Sequence, residues 1–221
     1  FNQDESAIGY NAYSILQIGR DEHGEKFPIY FKSFGDYKLP AYIYITAVSE
    51  KIFGLNEFAV RFPSAMLGSL TILMIFFVVK SITVNKKLAF LTSFLLAINP
   101  WHLFFSRASF ETNAALAFAV FGIWMFLLVM RLKKWVYLFL AILGFVLSLY
   151  SYNVTRLLAP ALFSGLIWMH WKQVKQVPRK VSIGALGFFI ILLLPFIITF
   201  LSPAGVSSAH GALITSTDIQ A

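Results

Sequence analysis

Apolar runs of membrane-spanning length alternate with short polar connections from about residue 60 onward. Five runs, 62–79, 88–106, 112–130, 135–155 and 181–201, hold no charged residue. A helix needs about 20 apolar residues to cross a bilayer, so each run predicts a transmembrane helix. A sixth run, 157–171, is shorter, and Lys172 can lengthen it by reaching to the interface with its aliphatic stem. Trp101, Trp135, Trp168 and Trp171 lie near run ends, where amphipathic rings favour the membrane–water boundary. The pattern predicts an all-α polytopic membrane bundle of about six transmembrane helices, with both chain ends on one side.

The first 56 residues have another rhythm. Ile8, Ala12, Ile15 and Leu16 recur at helical spacing, predicting an amphipathic helix from Asp4 to Ile18 that Gly19 closes. Residues 21–26 read as a charged loop. Pro40 to Phe53 reads as a second helix, with Pro in its first turn, Gly54 as its C-cap, and Ala41, Ile43, Tyr44, Ala47 and Ile52 as apolar surface. Both helices are expected to lie along the membrane surface rather than cross it. The division is then a loop over 1–56, spans over 57–201 and a tail over 202–221, within a single transmembrane domain.

Charge adds sidedness. Lys80, Lys86, Lys87, Arg131, Lys133, Lys134, Lys172, Lys175, Arg179 and Lys180 fill the connections on one side, without a single acid. Asp4, Glu5, Asp21, Glu22, Glu25, Asp36, Glu50, Glu57, Glu111 and Asp218, all ten acids of the chain, fall on the other. Basic loops stay cytoplasmic, so the acidic face is expected to look outward from a cell membrane. The net charge of +8 therefore belongs to loops that set topology, and not to a nucleic-acid surface. The apolar content, 58% with a mean hydropathy of +0.74, exceeds the roughly 45–50% of soluble domains. No Cys is present, which excludes disulfides and thiolate metal sites. The chain begins at Phe1 and stops just after an apolar run, so it reads as a fragment of something longer.

Few residues are left to carry chemistry. Asp4-Glu5 either favours the helix dipole or supplies a carboxylate able to take a proton from an acceptor hydroxyl. Gly35-Asp36-Tyr37-Lys38-Leu39-Pro40 is a turn and helix start, or a site in which Lys38 meets a phosphate and Asp36 is its partner or a metal ligand. Arg61 opens a span, where it either snorkels or joins the substrate-binding set. Arg107 and Glu111, four residues apart at the same mouth, form a structural ion pair or part of an anion site. Arg156, beside Tyr150 and Tyr152, has the same two readings. His102 reads as an interfacial residue rather than a ligand. Asn153-Val154-Thr155 matches the N-glycosylation triplet but abuts the membrane, so it is expected to stay unmodified. Acids are available for a divalent metal, yet no ligand spacing among them is diagnostic.

The order of these elements resembles the N-terminal half of the C superfamily of integral-membrane glycosyltransferases. Asp4-Glu5 comes first, then the stretch ending Asp36-Tyr37-Lys38-Leu39-Pro40 and the helix end Phe53-Gly54. Asn56-Glu57, Ala59-Val60-Arg61-Phe62-Pro63-Ser64, Asn99-Pro100-Trp101-His102, Ser106-Arg107 and Glu111 follow. The similarity is to the branch of protein O-mannosyltransferases and lipid A aminoarabinose transferases. It implies inverting transfer of a sugar from a polyprenyl-phosphate donor to an extracytoplasmic protein, or to an envelope glycan or lipid. It also implies Asp4 as the base, with Glu5 its catalytic partner, and Asp36, Lys38, Arg61, Arg107 and Glu111 as substrate-binding residues. The sequence departs from the family pattern at Tyr37, which separates acid from lysine, and at Leu39, where a proline is common. Such enzymes have a further helix before the Asp-Glu loop and more helices and an outward domain later, so these residues alone are expected to be inactive. The competing reading is a transporter or lipid flippase with Asp4, Arg107 and Glu111 in its pathway, although transporters place such groups nearer mid-membrane.

Overall fold

Asn and Pro residues set the starts of the helices in the computed structural model, which describes residues 3–33 and 36–200, without the side chains of Asp36, Thr199 and Phe200. Gly35, Asp218 and the 202–221 tail lie outside the described residues. The chain opens with α1 (Gln3–Ile18), closed by Gly19 at φ +66°, a left-handed conformation that glycine adopts without strain. Residues 19–27 fold back on α1 as the expected charged loop. Asn11 holds Glu22 through side chain and backbone, and Asp21 Oδ1 accepts from the amides of His23 and Glu25. A small antiparallel hairpin follows, β1 (Phe31–Ser33) and β2 (Asp36–Lys38), pairing Phe31 with Lys38 and Ser33 with Asp36. Three-residue strands leave too short a period to be read from sequence.

Helix α2 (Pro40–Phe53) has the predicted bounds, with Gly54 capping it at φ +78°. Its buried face is centred on Tyr42, Ile43 and Ala47, whereas Ile52, expected to help form the apolar surface, is exposed. The long α3 (Glu57–Thr83) is capped by Asn56, whose side chain accepts from the Ala59 amide. Pro63 inside α3 has no N–H to give the Ala59 carbonyl. The Ser49 hydroxyl of α2 supplies that donor at 2.6 Å, and Tyr42 donates to the Val60 carbonyl beside it. The proline thus creates the seam on which α2 docks.

The remaining helices are α4 (Lys86–Ala97), α5 (Pro100–Arg107), α6 (Glu111–Leu132), α7 (Val136–Leu149), α8 (Thr155–Met169), the short α9 (Trp171–Val174) and α10 (Arg179–Phe200). The run 88–106 was expected to be one helix. It breaks instead at Asn99-Pro100, where Asn99 caps a new helix and the axis turns by 58°. Against the expectation of about six spans, three helices among the described residues, α3, α6 and α10, are long and apolar enough to cross a membrane. The bent pair α4–α5 makes up to four. Helices α7 and α8 are apolar but have only 14 and 15 residues, because 150–154 form turns rather than extending α7. The class is as expected: an all-α membrane helix bundle.

Close approaches fix the bundle. A Cβ on Gly144 of α7 would come within 2.8 Å of the Gly122 nitrogen on α6, so these backbones touch directly. Helix α5 lies equally close to α3 at Gly68, where a Cβ would meet Ser106 Oγ. His102 is buried there and faces the Gly68 carbonyl at 3.1 Å, which corrects its reading as an interfacial residue. Asn113 of α6 donates to the Ser64 carbonyl and hydroxyl, and Ser64 donates to the Phe105 carbonyl. One polar knot therefore joins α3, α5 and α6 immediately below the site.

Candidate functional site

The first turn of α1, the end of β2 and the start of α6 meet at one end of the bundle. Lys38 extends from β2, and its Nζ lies 2.9 Å from Asp4 Oδ1 and 3.8 Å from Glu111 Oε1. The Lys38 and Glu111 side chains are largely sheltered, at 13% exposure each, whereas Asp4 is 61% exposed and open to solvent. These three line a cleft of about 370 Å³ together with Tyr37, Ser109 and Asn153, among others. The arrangement offers one cation, two carboxylates and aromatic walls to a polar ligand.

Glu5 is adjacent in sequence but points elsewhere. It is 2% exposed, and Arg61 grips it bidentately, Nε to Oε1 at 2.7 Å and Nη2 to Oε2 at 2.9 Å. Ser109 adds its amide and its hydroxyl to Oε1, and Glu57 pairs with the other face of the guanidinium. A carboxylate this committed to donors holds α1, α3 and the α5–α6 turn in register.

Of the other candidates, Asp36 lies in β2 opposite Ser33, two residues before Lys38. Arg107 ends α5 and Glu111 starts α6, so their spacing of four does not place them on one helix. Arg107 lines a different cleft, of about 440 Å³, with Arg61, Leu103 and Phe104. Arg156 donates to Tyr30 Oη at 3.1 Å and stacks between the Tyr30 and Phe196 rings, tying the loop before β1 to α8 and α10. Among the described residues no group of three or more His, Asp or Glu gathers as a metal site.

Sequence reasoning passed over Ser109 and Asn153 as site residues. Asn153 carried a signal only as a modification triplet, and Ser109 carried none. Glu50 was missed as well. It is buried on α2 where that helix faces Gly9 of α1, its two oxygens meet no hydrogen-bond donor among the described residues, and desolvation pushes its carboxyl up to about 7.

The fold and this cleft define a multi-pass membrane protein with a charged site at one end of its helices. Residues 38–198 match the family described as dolichyl-phosphate-mannose-protein mannosyltransferase, and the chain belongs to that family. It is accordingly a membrane glycosyltransferase of the mannosyltransferase type. The match begins at Lys38, so α1 with Asp4 and Glu5 precedes it. No curated protein and no solved structure matches the chain.

Proposed function

We propose that the protein moves a sugar, mannose in the first instance, from a polyprenyl-phosphate carrier to a hydroxyl on an extracytoplasmic acceptor. A protein acceptor accords with the family description; an envelope glycan or lipid has the same hydroxyl chemistry. The observation that carries the reading is the Asp4–Lys38–Glu111 constellation inside one cleft.

The chemistry assigns each group a task. Lys38 meets the donor phosphate, the group that must leave as an anion. As Lys38 turns to the phosphate, Asp4 becomes available to an acceptor hydroxyl as general base. The acceptor oxygen attacks the anomeric carbon from the face opposite the phosphate. The bond from that carbon to the phosphate oxygen breaks, the proton passes to Asp4, and polyprenyl phosphate departs with inversion. Glu111 holds Lys38 from the second side, and Glu5 with Arg61 fixes the turn that presents Asp4. Asp36 and Arg107 remain proposed substrate contacts, at the β2 start and in the neighbouring cleft. A divalent metal is not needed for any of these steps, although the carboxylates could accept one.

Orientation rests on helix length. Arg61 and Lys80 lie 19 residues apart on α3, about 29 Å at the helical rise of 1.5 Å per residue. Glu111 and Arg131 lie about 30 Å apart on α6 by the same rise. Those spacings equal the hydrocarbon thickness of a bilayer, so the cleft and the basic connections fall at opposite surfaces. The positive-inside rule supports a cleft on the outer face of the cell membrane. The charges gather at one end rather than mid-membrane, which favours the enzyme over a transporter or flippase.

The direct test supplies membranes containing the intact protein with radiolabelled polyprenyl-phosphate mannose. Label passing to protein or envelope acceptors is expected, with none when a nucleotide sugar is the sole donor. Transfer equal to that of membranes lacking the protein would overturn the reading.

A further inference from the structure

The end of α6 far from Glu111 belongs to a basic surface built from two connections. Lys133 and Lys134 lie between α6 and α7, whereas Lys172, Lys175, Arg179 and Lys180 lie between the end of α8 and the first turn of α10. All six are exposed. Lys133 Nζ donates to Gln176 Oε1 at 3.2 Å, which ties the two connections together. No Asp or Glu occurs between Glu111 and Asp218, and none of the six cations pairs with a carboxylate among the described residues. Charge of one sign gathered on one surface repels itself and attracts anions from outside.

Membrane sidedness asks only for basic loops. Here the loop also walls an apolar crevice of about 210 Å³. Val174 and Val177, interleaved in sequence with Lys172, Lys175 and Arg179, line it together with Met130 of α6 and Ser182, Ala185 and Phe189 of α10. Phe189 also lines a second apolar cavity, of about 250 Å³, along with Ala159 and Pro160 of α8, so the two adjoin. Trp168 and Trp171, on the same segment, are exposed, and Lys175 Nζ stands 5.1 Å from the Trp171 ring centroid. Exposed indole rings favour the headgroup depth of a bilayer. A dry apolar gap takes hydrocarbon, and lysines clustered beside it take a phosphate.

The geometry points to a binding site for an anionic phospholipid, with its phosphate among Lys172, Lys175 and Lys180 and one acyl chain in the crevice. The site lies at the surface away from Asp4 and Lys38, and it does not depend on the glycosyltransferase reading.

The test counts lipids held by the purified intact protein in native mass spectrometry, during titration with dilauroyl phosphatidylglycerol or with neutral-headgroup dilauroyl phosphatidylcholine. The first phosphatidylglycerol is expected to bind about 10-fold or more tightly than phosphatidylcholine. Each cation beside an anionic headgroup contributes roughly 5-fold in affinity, so Lys172→Gln with Lys175→Gln should remove most of that preference. Ser182→Phe, at an exposed position of the lining, narrows the crevice and keeps every cation. It should weaken the first phosphatidylglycerol by about 5-fold. Should that variant not accumulate in membranes, Leu186→Trp, also exposed and in the lining, takes its place with the same expectation. Equal affinity of wild type for the two lipids, or undiminished phosphatidylglycerol binding in the double lysine variant, overturns the inference. Undiminished binding in the crevice variant overturns it as well, because diffuse surface charge then accounts for the preference. Polyprenyl phosphate held more tightly than phosphatidylglycerol through the same lysines overturns the assignment to a phospholipid.

Discussion

Arg61 and Glu5 lie 56 residues apart and form a two-pronged ion pair, Nε to Oε1 at 2.7 Å and Nη2 to Oε2 at 2.9 Å. Because Glu5 is buried, removing its partner leaves a desolvated charge. Arg61→Ala should destabilise the protein by about 3–5 kcal/mol, and Arg61→Lys should recover only part, since an ammonium cannot make the parallel pair. Thermal unfolding in detergent, read by tryptophan fluorescence, checks both. Equal stability of all three proteins would remove Glu5 from its positioning role.

Gly144 offers a test of the bundle itself. The backbones of α6 and α7 touch at Gly122 and Gly144, with the Phe118 carbonyl also 2.9 Å from an added Cβ. Neither backbone can yield as a side chain would. Gly144→Ala should therefore cost about 1–3 kcal/mol, whereas Gly165→Ala, where a Cβ meets nothing, should be close to neutral. The comparison is made by unfolding midpoint in the same detergent.

Glu50 predicts a pH dependence of stability. Its folded carboxyl is raised by burial from 4.5 to about 7, so the folded state holds a proton that the unfolded state has released between those values. Stability from this group is then greatest below about pH 4.5, falls as pH rises through about 7, and is level beyond. Glu50→Gln should flatten that slope and raise stability at pH 8 by roughly 1–3 kcal/mol. A wild-type profile that rises over the same interval would contradict the assignment.

Sidedness can be read with engineered thiols, since these 221 residues contain no Cys. Residue 10, an exposed tyrosine of α1, and residue 87, in the first turn of α4, are suitable positions. In intact cells a membrane-impermeant maleimide should label Tyr10→Cys and should label Lys87→Cys only after permeabilisation. The reverse pattern would invert the topology.

Much of this architecture was legible because its signals are local. Pro40 and Gly54 bracketed α2, Ile8, Ala12 and Ile15 marked the buried stripe of α1, and the uncharged runs marked the bundle. What the sequence hid depends on distant partners. Nothing near Asn99-Pro100 says whether proline kinks or restarts a helix; the answer lies in the Asn99 cap and in the tether from His102 to Gly68. The division of labour between Asp4 and Glu5 was equally hidden. Two adjacent acids on one helix turn point about 100° apart, so one meets Lys38 and the other Arg61, and only the fold decides which. Lys38 was legible as a cation, but its place between Asp4 and Glu111 required α6 to start where it does.

The most direct measurement is the turnover of Asp4→Asn in the intact protein, set beside its affinity for polyprenyl-phosphate mannose. Loss of the base should lower turnover by about 10²–10⁴-fold, with expression and donor affinity close to wild type because the exposed Asp4 carries no part of the packing. Turnover retained within a few-fold of wild type would contradict the account.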